Sequence, residues 1–172
     1  TINTANVVKL YRNGTHYYAT FVDGQGNVLA NKTVKFNING VWYTKKTNAV
    51  GTAGLNIQLY PGKYIITAVG PNGEQKGNTV TVLSLLTENH DLVKYFKNGT
   101  QFNAKLVDSD GNPVANKIIN FNINGVFYHK ETNKECIATL NINLRPNTYI
   151  ITSEYDNCFV SNNVTVKTTL VT

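Results

Sequence analysis

With 172 residues and a formal charge of +6, the chain is long enough for one large β domain or two small ones, each with a buried core. Apart from the adjacent Lys45 and Lys46, Lys and Arg are spread singly and form no basic run, so a nucleic-acid or membrane-surface role has little support. No apolar run is long enough to cross a bilayer, and no charged-then-apolar leader opens the chain.

The composition is typical of an all-β protein. Tyr, Phe, Val, Ile and Thr are abundant, and Gly, Asn and Asp interrupt short apolar runs throughout. Four Asn-x-Thr triplets, at Asn13, Asn31, Asn98 and Asn163, would permit N-glycosylation outside a cell. We expect an extracellular, cell-surface segment of a larger protein, with no membrane contact of its own.

An internal repeat organises the sequence. Residues 9–67 align with residues 94–152 at a constant offset of 85, and 32 of these 59 positions are identical. The sequence therefore predicts two tandem domains, 1–86 and 87–172.

Alternation and turn residues predict seven short strands in each repeat, with a tight hairpin at Asn39-Gly40. In the first repeat these strands cover residues 6–12, 15–23, 33–38, 41–46, 53–59, 63–69 and 78–83. Seven strands in so few residues indicate an immunoglobulin-like β-sandwich. The joining residues 83–91 contain no flexible spacer, so we expect the domains to lie end to end as in a stalk.

A lysine interrupts the apolar first strand of each repeat, at Lys9 and Lys94. A buried lysine needs a partner, and strand alternation alone leaves its face ambiguous because both faces of the strand are apolar.

In each repeat, one aspartate and one asparagine extend core-facing rows of apolar side chains. Tyr17, Ala19 and Phe21 share a face that ends at Asp23, and Phe102, Ala104 and Leu106 share one that ends at Asp108. In the last strand the core-facing valines follow Asn78 in the first repeat and Asn162 in the second.

In an immunoglobulin-like sandwich, the first strand can pair in parallel with the last, so Lys, Asp and Asn are expected to converge. A desolvated lysine loses its proton readily, and a protonated aspartic acid can polarise a carboxamide. Attack of the amine on the asparagine side chain would expel ammonia and leave a Lys–Asn isopeptide bond.

The repeat resembles the immunoglobulin-like domains of adhesin-like surface proteins of methanogenic archaea. The resemblance rests on Asp-x-x-Gly-Asn at 23–27 and 108–112, and on Leu-Asn-Ile-x-Leu-x-Pro followed by Tyr-Ile-Ile-Thr. The Lys/acid/Asn set is similar to that of Gram-positive pilins and collagen adhesins, whose domains cross-link themselves. This resemblance implies bonds from Lys9 to Asn78 and from Lys94 to Asn162.

In that scheme Asp23 and Asp108 assist the two reactions. One bacterial type instead uses a glutamate on a late strand, where this chain has only Asn56, Gln58, Asn141 and Asn143. The simpler interpretation is that each aspartate holds its own Asp-x-x-Gly turn, each lysine leans out at a strand edge, and each asparagine caps a loop.

The two cysteines, Cys136 and Cys158, occur only in the second repeat. Cys136 precedes the predicted fifth strand and Cys158 follows the sixth, and these two positions can lie at the same end of the sandwich. The sequence is therefore compatible with a disulfide and with two free thiols.

No enzymatic or metal site is evident. Asp108-Ser-Asp110-Gly lacks the downstream glutamate of a calcium loop, and His16, His90 and His129 have no metal-ligand spacing. We therefore predict no cofactor and no turnover.

The sequence is compatible with two different functions. The first is a structural stalk or adhesin segment, with isopeptide bonds and neighbouring repeats of its own chain as partners. The second is a module that binds a glycan or host protein through Trp42, Tyr43, Phe127 and Tyr128. Alternation predicts that half of these four aromatics belong to the core.

Overall fold

The computed structural model describes residues 1–169, which form strands and connecting turns without a helix. Accordingly, these residues include no helix that could cross a membrane. The chain divides into two compact units, Thr1–Leu83 and Ser84–Thr172. The division falls three residues before the predicted boundary, because Leu86 pairs with Leu106 in a sheet of the second unit.

The strands of the first domain are β1 (Ile2–Thr4), β2 (Val7–Leu10), β3 (His16–Phe21), β4 (Thr33–Ile38), β5 (Val41–Lys46), β6 (Thr52–Asn56), β7 (Gly62–Val69) and β8 (Gln75–Leu83). Those of the second domain are β9 (Leu86–Thr87), β10 (Leu92–Tyr95), β11 (Gln101–Leu106), β12 (Ile118–Ile123), β13 (Val126–Glu131), β14 (Ile137–Asn141), β15 (Asn147–Tyr155) and β16 (Cys158–Lys167).

Each domain contains a three-stranded and a five-stranded sheet. In the first domain their orders are β1-β3-β6 and β2-β8-β7-β4-β5, and in the second β9-β11-β14 and β10-β16-β15-β12-β13. The apolar faces of the two sheets form one core in each domain. The predicted fold class is therefore confirmed: each domain is an immunoglobulin-like β-sandwich.

The first predicted strand is two strands in the structure. β1 pairs antiparallel with β3, whereas β2 pairs in parallel with β8 in the other sheet. The chain thus crosses from one sheet to the other at residues 5 and 6. The second domain repeats the crossing, with β9 on β11 and β10 on β16.

The hairpin predicted at Asn39-Gly40 is present with the predicted bounds of both strands. Asn39 and Gly40 have φ angles of 54° and 77°, as a two-residue turn with left-handed geometry requires. Asn124 and Gly125 repeat this geometry in the second domain, at 55° and 77°.

An edge-to-face aromatic pair lies at the centre of each core. Tyr17 meets Phe36 with ring centroids 5.6 Å apart, and Phe102 meets Phe121 at 5.8 Å; both pairs have an interplanar angle of 88°. All four side chains are fully buried. The pairs connect the facing sheets within each domain, because β3 and β11 belong to the three-stranded sheets and β4 and β12 to the five-stranded ones.

Candidate functional site

Lys9 and Lys94 lie on the core faces of their strands. Their exposed fractions are 4% and 3%, whereas the adjacent Val8 is 66% exposed and Val93 also faces outward. The structure thus resolves the ambiguity of the sequence in favour of burial, and the interpretation that these lysines lean out at an edge is wrong.

Each buried amine donates a hydrogen bond to a main-chain carbonyl of the opposite sheet. Lys9 Nζ lies 2.5 Å from Ile57 O, one residue beyond the end of β6. Lys94 Nζ lies 2.5 Å from Ile142 O, one residue beyond β14, and 3.2 Å from Thr100 O. A lysine on the five-stranded sheet is thereby hydrogen-bonded to the end of the three-stranded sheet in both domains.

Burial lowers the pKa of both lysine amines below the ordinary value, because desolvation disfavours the charged form. This is the electronic change that a nucleophilic lysine would need. A lowered pKa makes the amine more reactive, but a reaction also needs an electrophile within reach.

Asp23 and Asp108 lie in the turns that follow β3 and β11 and hydrogen-bond to the backbone there. Asp23 Oδ1 accepts backbone hydrogen bonds from Asn27 and Gln25, both at 2.9 Å, and closes the Asp-x-x-Gly turn. These hydrogen bonds lower the pKa of Asp23, so it is a carboxylate and not the protonated acid that the cross-linking scheme requires. Asp108 holds the equivalent turn through the backbone N–H groups of Asp110 and Asn112. The interpretation of both residues as turn formers is correct.

Asn78 is hydrogen-bonded within a different polar cluster. Its Oδ1 accepts from Tyr17 Oη at 3.0 Å and from Thr4 Oγ1, and its Nδ2 donates to Asn6 Oδ1 at 3.1 Å. The carboxamide therefore fastens the crossing between β1 and β2 to the beginning of the core-facing row of β8.

Asn162 has the equivalent position with different partners. Its Nδ2 donates to Asp91 Oδ1 at 3.2 Å and more weakly to Asn89 O at 3.4 Å. Its buried Oδ1 has no hydrogen-bond donor among residues 1–169, because Phe102 and Asn89 stand where the first domain has the donors Tyr17 and Thr4.

The structure does not bring the predicted lysine, aspartate and asparagine together. Lys9 is in register with Val82, four residues along β8 from Asn78, which corresponds to about 13 Å at 3.3 Å per residue. Lys94 is likewise in register with Val166, four residues from Asn162. Parallel pairing of the first and last strands was predicted correctly, but its register separates the proposed reactants.

The aromatics of β5 and β13 are all exposed, so the prediction that half belong to the core is wrong. Trp42 is 57% exposed and Phe127 is 60% exposed, and Tyr43 and Tyr128 are exposed as well. The reason is architectural: β5 and β13 are edge strands of five-stranded sheets that face only three strands. The facing sheet therefore leaves every residue of β5 and β13 exposed.

The two cysteines are buried thiols in the structure and do not form a disulfide. Cys136 lies in the turn before β14 with a φ of 67°, where the first domain has Gly51 at 78°. Within residues 1–169, no three His, Cys, Asp or Glu side chains group closely enough to hold a metal ion.

No protein-family model matches the chain, and no curated protein sequence matches it either. Solved structures do match. The fibronectin(III)-like modules of Clostridium thermocellum CbhA are 15% identical, with 98% of this chain and 95% of that chain covered and a TM-score of 0.34.

Invasin, a bacterial integrin-binding protein, is 17% identical, with 97% of this chain and 40% of that chain covered and a TM-score of 0.44. The I9–I11 tandem of titin is 14% identical, with 98% and 66% covered and a TM-score of 0.43. Similarity at this level carries no information about a ligand.

Proposed function

We propose that the chain is a non-enzymatic, two-domain segment of a cell-surface adhesin. In this proposal the sandwiches are structural units, and an outer sheet face of the segment contacts a ligand. The observation that carries it is an internal contrast: both domains keep the buried lysine and most of the core side chains, whereas the outer faces of their five-stranded sheets differ.

A segment that spaces and presents a binding surface needs stable domains more than it needs a reaction centre. The inter-sheet hydrogen bond from each lysine supports this role, because it joins the strand that enters the five-stranded sheet to the end of the facing sheet. Exposed aromatic side chains on the sheet faces supply the surface for a partner.

The predicted Lys–Asn isopeptide bonds are a separate question. We propose that Lys9 and Lys94 do not react and remain amines. Their burial and lowered pKa favour reactivity, but the register with β8 and β16 and the carboxylate character of Asp23 count against the Lys–Asn bond. Peptide mapping after proteolysis distinguishes the two states. We expect linear peptides containing Lys9 and Asn78; a branched peptide joining them would establish the cross-link instead.

The surface location has its own test. Antibodies raised against the purified chain should label intact, non-permeabilised cells of the source organism, and brief protease treatment of those cells should remove the signal. Labelling that appears only after permeabilisation would overturn the proposal.

A further inference from the structure

The outer face of the second domain's five-stranded sheet carries a groove of about 370 Å³. Its floor is polar and half-buried, and two exposed phenylalanines border it. The lining residues are Asn120, Asn122, Phe127, Thr152, Glu154 and Phe159.

The sheet register fixes how these residues are arranged. One cross-strand row runs Phe127, Asn122, Thr152, Ser161, and the next runs His129, Asn120, Glu154, Phe159. The phenylalanines occupy diagonal corners, separated by three strand spacings of about 14 Å in total and by one row of about 7 Å.

The two phenylalanines present open aromatic faces at the groove. Phe127 and Phe159 are each 60% exposed, and neither makes a ring contact with another aromatic side chain within residues 1–169. An aromatic face carries partial negative charge and attracts the polarised C–H groups of a sugar ring. Two such faces at opposite corners suit a short oligosaccharide that extends diagonally across the sheet.

Polar groups on the floor can hydrogen-bond to sugar hydroxyls. In the part of the chain that the structure describes, the side chains of Asn122 and Glu154 have no hydrogen bond or ion pair. Asn120 is oriented by a hydrogen bond between its Oδ1 and His129 Nδ1, and Thr152 by one to Ser161 at 3.0 Å. The Asn122 amide can both donate and accept a hydrogen bond, and the Glu154 carboxylate can accept one. Adjacent sugar hydroxyls, which both donate and accept, can bind to such a pair.

Charge narrows the class of sugar. Glu154 lies in the groove and Glu131 lies one row beyond His129 on the same face of β13; among the residues that the structure describes, no lysine or arginine lines the groove. A uronic or sialic acid would place its carboxylate against like charge.

The first domain provides a natural comparison. At the equivalent positions it has Trp42 for Phe127 but Lys35 for Asn120, Val69 for Glu154 and Gln75 for Phe159. It therefore retains one aromatic face and loses both the carboxylate and the second aromatic face.

From this arrangement we propose that the second-domain groove binds a neutral oligosaccharide, stacked on Phe127 and Phe159 and hydrogen-bonded to Asn122 and Glu154. This rests on the proposed function, since it names the ligand class of the adhesin surface. It can nevertheless be tested on the purified chain wherever that chain resides in the cell.

The test is calorimetric titration of the 172-residue chain with a panel of neutral hexasaccharides, namely cello-, manno-, malto- and chitohexaose, and with oligogalacturonate as the acidic control. We expect at least one neutral sugar to bind and oligogalacturonate not to bind. Phe127→Ala and Phe159→Ala should each weaken binding by about tenfold. Trp42→Ala, the matched change in the first domain, should leave the affinity unchanged.

Because both phenylalanines are exposed, these variants should keep the melting temperature of the parent chain, and Phe159→Tyr should retain binding. The inference is overturned if no neutral hexasaccharide binds at millimolar concentration, if oligogalacturonate binds more tightly, or if binding survives both alanine substitutions. Failure of this titration with positive labelling of intact cells would reject the groove alone; absence of surface labelling would reject the surface role.

Discussion

The two domains differ least where they are buried and most where side chains meet solvent or fill space around a backbone crossing. Both keep the aromatic pair, the core valines of the last strand and the buried lysine. They differ at the Asn78/Asn162 cluster, at the Gly51/Cys136 turn and on the outer sheet face. One fold is thus held by a largely shared core and the same inter-sheet hydrogen bond, whereas its outer sheet face differs between the domains.

The largest expected effect follows removal of a buried lysine. Lys9→Ala deletes an apolar stem from the core and leaves the Ile57 carbonyl without this donor, so the first domain should lose about 3 kcal/mol of unfolding free energy. Lys9→Met retains the stem and should lose only about 1 to 2 kcal/mol. Urea denaturation, with hydrogen exchange to assign the transition to a domain, measures both.

Lys94→Ala and Lys94→Met are the matched pair in the second domain and should give the same ranking. A methionine variant as stable as the parent would mean that the inter-sheet hydrogen bond contributes nothing.

The next effect concerns the turn before β6. Gly51 has a φ of 78°, and an added Cβ would lie 2.9 Å from Phe21 O, so Gly51→Ala should cost about 2 kcal/mol. Cys136 already has a Cβ at a φ of 67°. There, Cys136→Gly should be more stable than Cys136→Ala by about 1 kcal/mol, because only glycine relieves the left-handed backbone. Equal stability of these two variants would show that the turn is unstrained.

An exchange of Tyr and Phe between the domains should give a smaller effect of opposite sign. Tyr17→Phe removes a hydrogen bond to Asn78 and should destabilise the first domain by about 1 kcal/mol. Phe102→Tyr should stabilise the second domain by a similar amount, since the new hydroxyl offers a donor to Asn162 Oδ1, and Phe102 borders an open surface pocket of about 200 Å³. Thermal unfolding of both variants checks this; destabilisation by Phe102→Tyr would show that the hydroxyl does not fit.

The smallest effect is on the pH dependence of stability. A lysine whose pKa is lowered by folding binds more protons in the unfolded chain, so stability should rise with pH from the lowered pKa up to the unfolded value of 10.5. In the first domain burial also raises the pKa of Tyr17, which opposes this rise near pH 10 and above.

The second domain, which has Phe102 at that position, should therefore show the clearer rise, and Lys94→Met should abolish it. Denaturation midpoints measured between pH 7 and 10.5 decide the matter. A rise that persists unchanged in Lys94→Met would assign it to other groups.

The sequence predicted the fold well because its signals are local. Asn39-Gly40 set the bounds of a hairpin, and the alternation of Tyr17, Ala19 and Phe21 identified a core face. The same rule failed at Asp23, because alternation holds only while the chain remains in a strand and β3 ends at Phe21. The split of the first strand was missed because β1 has only three residues, too few for a periodic pattern.

The candidate site was harder to predict because it depends on register across strands. Whether Lys9 meets Asn78 or Val82 is fixed by a parallel pairing that no local pattern encodes. Phe159 was not predicted as a site residue, again because its position depends on strand register. It lies beyond the aligned part of the repeats, and only its pairing with Glu154 places it beside the groove. Strand alternation in the sequence could have identified Phe159 as outward-facing, but it could not have placed Phe159 near Phe127.

The intact mass of the purified chain, measured under reducing conditions, tests most directly whether each buried lysine is a hydrogen-bonded amine. We expect the mass of the unmodified sequence, for the parent chain and equally for Lys9→Met and Lys94→Met after allowance for the substitution. A parent mass lower by one ammonia per domain, restored by these substitutions, would contradict it and establish the covalent bonds.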